Sequence, residues 1–88
     1  MRFREVFKHT HTVLPVIHAE DEAQVRRNAE RASSAGADGI WLINHSFSYE
    51  RLIGIYRKLR SDNPSAWIGL NCLELTPYET MAEVDLDV

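Results

Sequence analysis

Three apolar runs, Val13 to His18, Gly39 to Asn44 and Trp67 to Leu73, alternate along this chain with segments of helical periodicity. Short connections separate them, and this alternation constrains the fold more than any other feature. A strand that returns to its own sheet through a helix pairs in parallel, so the pattern predicts a βαβαβ unit with right-handed crossovers and a three-stranded parallel sheet. The second run, Gly-Ile-Trp-Leu-Ile-Asn, is continuously apolar rather than alternating, as expected of a strand covered on both faces. Pro15 lies near the start of the first run, where a missing ladder donor is best tolerated. His18, His45 and Cys72 follow one another at intervals of 27 residues, so one strand-helix unit spans that length.

The helices between the strands carry their own start and stop signals. Asp21 followed by Gln24 has capping-box spacing, and Glu22 suits the positive end of a helix dipole. Val25, Ala29 and Ala32 form a narrow buried stripe whose small side chains allow close approach to a sheet, and Gly36 is the natural left-handed terminator. Ser46 or Ser48 is expected to cap the second helix. Leu52, Ile55, Tyr56 and Leu59 form its stripe, Arg57, Lys58 and Arg60 crowd its C-terminal end, and Asn63-Pro64 stops it. That basic group is explained by the helix dipole and needs no bound anion. Gly54, in mid-helix, costs about 1 kcal/mol relative to alanine and points to a close backbone contact on that side. Thr76-Pro77-Tyr78-Glu79 is a second capping box with proline at the first helical position. The helix it starts runs little more than two turns, through Met81, Ala82 and Val84, before Asp85-Leu86-Asp87-Val88. Ahead of the first strand, Phe3, Val6 and Phe7 have the spacing of one helical turn, suited to a lid or plug.

A chain of 88 residues with 44% hydrophobic and 26% charged residues makes one small domain, and folding at this size removes only roughly two-thirds of its surface from water. The net charge of −3 excludes the broad positive field that nucleic-acid and anionic-membrane binders use, so neither partner is expected. Arg2, Arg4 and Lys8 precede an apolar run too short for a signal peptide, and Cys72, the single cysteine, has no disulfide partner within the chain, which leaves the cytoplasm as the expected location. The sequon Asn44-His45-Ser46 carries little weight without a secretory signal.

Ligands of parallel α/β sheets sit at the C-terminal ends of the strands, and here those ends carry His18, Asn44, His45, Asn71 and Cys72. His18 and His45 are the candidate catalytic residues, because imidazole moves protons near neutral pH. Asn44, Asn71 and Cys72 are candidate ligand-binding residues, the asparagines orienting a carbonyl or hydroxyl. Two imidazoles and a thiolate, with Glu20 or Asp21 nearby, are also ligand types suited to zinc, but their spacing is no known metal signature and no metal site is assigned. The plainer alternative is that the asparagines satisfy backbone groups where the ladder ends and that Cys72 is a small buried apolar residue.

The phrases Leu14-Pro-Val-Ile-His18, Ala35-Gly-Ala-Asp-Gly-Ile-Trp-Leu-Ile-Asn-His45 and Gly69-Leu-Asn-Cys72 resemble the N-terminal part of a TIM barrel. Ala-Gly-Ala-Asp-Gly-Ile is common in phosphate-binding barrel enzymes and is similar to that of the BtpA-like family. The resemblance covers almost all of the chain and about three of a barrel's eight units. It implies an enzyme for a small metabolite, phosphorylated ones included, in which residues 1–88 form a partial barrel that is not catalytic alone. Barrel order 1-2-3 would put every crossover helix on one face and leave the other bare, to be covered by a second copy or a partner chain. A 2-1-3 order would put helices on both faces. The competing expectation is a stand-alone α/β protein that acts through self-association or partner binding at its open sheet.

Overall fold

The fold was analysed in a computed structural model that describes residues 2–84. Its elements are α1 (Phe3–Val6), β1 (Val16–Ala19), α2 (Glu22–Ser34), β2 (Ile40–Asn44), α3 (Tyr49–Asp62), β3 (Ile68–Asn71) and α4 (Pro77–Glu83). The sheet is parallel throughout in the order β1-β2-β3, with Ile17 beside Leu42 and Leu42 beside Leu70. Of the two strand orders open to the sequence, this is the one that places both crossover helices together.

Local chemistry accounts for the helix ends. The Asp21 carboxylate accepts from the Gln24 N–H at 2.7 Å, and the Gln24 side-chain oxygen reaches back to the Glu20 N–H at 2.9 Å, one residue before the expected partner. At the other end of α2, Gly36 has φ +87°. Its N–H bonds the Ser33 carbonyl and that of Ala37 bonds the Ala32 carbonyl, which together make a Schellman cap. At α4 both arms of the Thr76/Glu79 capping box are formed, with Pro77 opening the helix. Residues 85–88, beyond the C-cap Val84, lie outside the described residues.

The core lies between the sheet and the helices. Ile17, Ala19, Ile40, Leu42 and Ile68 point to one side and meet Val25 of α2 and Leu52, Ile53, Ile55, Tyr56 and Leu59 of α3 in a single buried cluster. Ala29 and Ala32 pack against it half-buried, as a small-residue stripe allows. Among the described residues no helix covers the other face. The continuous apolar run of β2 therefore does not have both faces buried: Ile40, Leu42 and Asn44 are buried, whereas Trp41 and Ile43 are only half-buried. Trp41 lies over Gly69, where an added Cβ would overlap its ring, and meets Trp67 edge-on with centroids 5.1 Å apart. Phe7, the C-cap residue of α1, is buried against Trp67 at 5.5 Å, whereas no residue of α1 itself is buried and Phe3 remains exposed, so only Phe7 of the expected apolar side packs down. This aromatic row covers only the part of the bare face where the strands begin.

Two expectations for α3 are corrected. Gly54 marks no close contact, since it is exposed and an added Cβ would meet nothing within 4 Å. Ser48 is the N-cap residue, but its hydroxyl makes no capping bond; separately, the Tyr49 N–H, the first of the helix, donates to a Glu74 carboxylate oxygen at 3.0 Å. A carboxylate at a helix N-terminus is also favoured by the helix dipole. The basic group at the far end of α3 is engaged within the chain. Arg60 donates to the carbonyls of Asn63, Pro64 and Ala66, Arg57 to that of Glu83, and Lys58 pairs with Glu22 at 3.3 Å.

Candidate functional site

Strand register sorts the five strand-end candidates onto two sides of the sheet. His18 is beside Ile43, and Ile43 is beside Asn71, so these three form one row across the bare face. Adjacent strands lie about 4.8 Å apart, which puts His18 and Asn71 roughly 10 Å from each other across the row. His45, two residues beyond Ile43, turns back over β1, where its ring stacks on that of His18 with centroids 4.8 Å apart and planes at 17°. Both rings and Asn71 are exposed. His18, His45 and Asn71 are thus gathered at one end of a face that carries no helix.

Asn44 and Cys72 are directed to the helix side. Asn44 is 2% exposed and its amide is fully engaged: the Oδ1 atom accepts from the Leu73 N–H at 3.0 Å, while Nδ2 donates to the Phe47 carbonyl at 2.8 Å and to Glu74. The residue ties the loop after β2 to the loop after β3, as the backbone-satisfying alternative foresaw. Cys72 is also 2% exposed, and burial pushes its thiol above the ordinary value although a Thr80 hydrogen bond draws it down. A buried thiol with a raised pKa is a poor nucleophile. With Cys72 turned away from the stacked imidazoles, the zinc ligand set does not assemble, and no group of three or more His, Cys, Asp or Glu side chains suited to a metal occurs among the described residues.

A shallow groove of about 450 Å³ runs over the bare face, lined by Val16, Trp41, Ile43 and Asn71 and continuing at the edge of β3 to Cys72, Leu75 and Thr80; neither His18 nor His45 lines it. A larger concavity of about 630 Å³ lies at the opposite end of the strands, between the C-terminal turns of α2 and α3. Its principal charged groups already have partners. Arg26 pairs with Asp62, and the Asp38 carboxylate accepts from the Val13 N–H at 2.7 Å and lies 2.6 Å from the His9 ring nitrogen. In the strand-end row the side chains of His18, His45 and Asn71 make no hydrogen bond among the described residues.

Glu74 was not foreseen. In the sequence it is one acidic residue between Leu73 and Leu75, and its partners Asn44 and Tyr49 lie 30 and 25 residues away. No local signal could have linked them. The Asn44 amide and then the Tyr49 N–H hold its carboxyl below the usual range, while Glu79 is held low first by the Thr76 N–H and then by the Thr76 hydroxyl. No helix among the described residues is long and apolar enough to cross a membrane. Comparison of the chain with family models, with curated proteins and with solved structures gives no match.

Proposed function

We propose that this chain supplies the first three β/α units of a TIM-barrel-like enzyme for a small metabolite, with His18 and His45 moving protons and Asn71 orienting a substrate carbonyl or hydroxyl. The observation that carries the reading is the parallel order β1-β2-β3 with α2 and α3 on one face. In a closed barrel the helix-free face becomes the packed interior, and the strand C-terminal ends become the floor of the active site. His18, His45 and Asn71 stand at that position. A neutral imidazole accepts a proton from the substrate while its stacked neighbour returns one, and the amide of Asn71 fixes the reacting group. Further β/α units, in the same polypeptide or in a partner, cover the bare face, and the described residues alone are not catalytic. The BtpA-like resemblance fits this reading at the level of the barrel.

Native mass spectrometry of the protein isolated from its own cells tests the proposal. The expected result is residues 1–88 joined to further β/α units, with a bound small molecule that H18A, H45A and N71A each lose. A bare monomer, or retention of the molecule by all three variants, overturns it.

A second reading rests on a different observation. Val16 is 54% exposed on the bare face beside half-buried Trp41 and Ile43, and the outer edges of β1 and β3 have no neighbouring strand among the described residues. A stand-alone protein would cover these by self-association in the cytoplasm. Sedimentation at micromolar concentration should then show an oligomer, and a folded, compact monomer rejects it.

A further inference from the structure

We infer that His9 and Asp38 form a second reactive site, in which the buried carboxylate fixes the imidazole so that its Nε2 atom attacks a small activated ester without negative charge. The pair lies at the opposite end of the strands from His18, His45 and Asn71, so the inference does not depend on the barrel reading.

Asp38 stands just ahead of β2, in the surroundings of an orienting carboxylate. Its side chain is 7% exposed, whereas that of His9 is 69% exposed. The Asp38 N–H donates to the Val13 carbonyl at 2.9 Å and Asp38 Oδ2 accepts from the Val13 N–H at 2.7 Å, which leaves Oδ1 for the N-terminal segment. His9 Nδ1 lies 2.6 Å from that oxygen. The Val13 N–H, and after it His9, hold the carboxyl below its ordinary range, so at neutral pH it is ionised and can only accept. Nδ1 must therefore carry the proton, and in the neutral ring the lone pair falls on Nε2. Nε2 has no hydrogen-bond partner among the described residues.

An imidazole oriented by a carboxylate in this way is a competent nucleophile. Nε2 adds to the ester carbonyl, the C–N bond forms, the ester C–O bond breaks and the alkoxide or phenolate leaves. The positive charge of the acyl imidazole is shared with the Nδ1–H that faces Asp38. Water then breaks the C–N bond, which returns the free imidazole and a carboxylate, and the protons released pass to solvent. Asp38 also lines the concavity of about 630 Å³ between the C-terminal turns of α2 and α3, and His9 stands one hydrogen bond outside that lining. The cation of the lining, Arg26, is paired with Asp62, and Glu30 adds a further carboxylate, so an anion finds nothing there. The hydroxyl of Ser33 and the apolar side chain of Ile40 suit the uncharged remainder of the ester. His9 is the catalytic residue of this site and Asp38 its positioning residue.

Two readouts on the 88-residue chain at neutral pH test the inference. Long-range proton–nitrogen NMR of the rings should show neutral His9 with its proton on Nδ1, and exposed His11 with its proton on Nε2, as in a free imidazole. Release of p-nitrophenolate from p-nitrophenyl acetate should be severalfold slower in H9A than in the wild type, while H11A keeps the wild-type rate. D38N keeps an oxygen on the Val13 N–H and turns an NH2 group to the ring, so it should reverse the His9 tautomer and slow release severalfold. A wild-type His9 ring protonated on Nε2 overturns the inference, as does a wild-type rate in H9A or in folded D38N. The tautomer of the wild type needs no variant, so it decides the matter where D38N unfolds the N-terminal segment.

Discussion

Replacing Gly54 by alanine should stabilise the protein. Gly54 lies in the interior of α3, which runs from Tyr49 to Asp62, and is exposed. Glycine in a helix interior is less favourable than alanine by roughly 0.5–1 kcal/mol, mostly because the unfolded chain gives up more backbone freedom. Steric correction is unnecessary, since an added Cβ meets nothing within 4 Å. For a domain of this size each kcal/mol moves the melting temperature by about 4–8 °C, so G54A should melt about 2–8 °C higher. Gly36 supplies the control. It has equally open space around a new Cβ, but its φ of +87° is a left-handed conformation that G36A would have to hold at a cost of about 1–2 kcal/mol. Thermal and urea unfolding followed by circular dichroism should therefore shift in opposite directions for the two variants, although both add one methyl group to open space. A lower melting temperature for G54A, or shifts of the same sign, would refute the reasoning.

Other outcomes follow from the loop network and the titrating groups. N44A removes the acceptor of the Leu73 N–H and both donors to the loop and Glu74, and should lower stability by about 1–3 kcal/mol in urea unfolding; a change near zero would show that the network is not needed. Asp38 is held below its ordinary pKa, first by the Val13 N–H and then by His9, as Glu74 and Glu79 are by their own partners. Depressed folded values mean that the unfolded chain binds more protons in the acid range. The stability these groups contribute is complete above the unfolded carboxylate values of about 4 and is lost as pH falls through the lower folded ones. The urea midpoint should accordingly decline on acidification below about pH 4, and E79Q should flatten the decline; a midpoint that rises instead contradicts the assignment. Cys72 should react slowly with a thiol reagent in the native protein and rapidly once unfolded, and fast native labelling would show that the thiol is not enclosed.

The features legible in the sequence were those fixed by near neighbours. Asp21, Gly36, Thr76 and Pro77 act on close neighbours in the chain, so both ends of α2 and the start of α4 could be placed from spacing alone. The three strands followed from apolar runs, and their parallel pairing from the helices between them. The strand ends as a location for His18, His45, Asn44, Asn71 and Cys72 were likewise readable, but the side of the sheet each residue occupies was not. Successive side chains along a strand alternate between faces, and only the tertiary register decides that His18 and Asn71 share the bare face while Asn44 and Cys72 enter the helix layer. Strand order is equally non-local, since βαβαβ connections of these lengths permit either 1-2-3 or 2-1-3 and the choice depends on which faces of α2 and α3 pack together. Glu74 is the clearest case. Its type and immediate neighbours imply a solvated loop residue, and it receives the first N–H of α3 only because the sheet brings the loop after β3 beside the loop after β2. Hydrogen bonds between residues far apart in sequence form only after the chain between them has folded, so the pairing of Asn44, Tyr49 and Glu74 belongs to the tertiary structure alone.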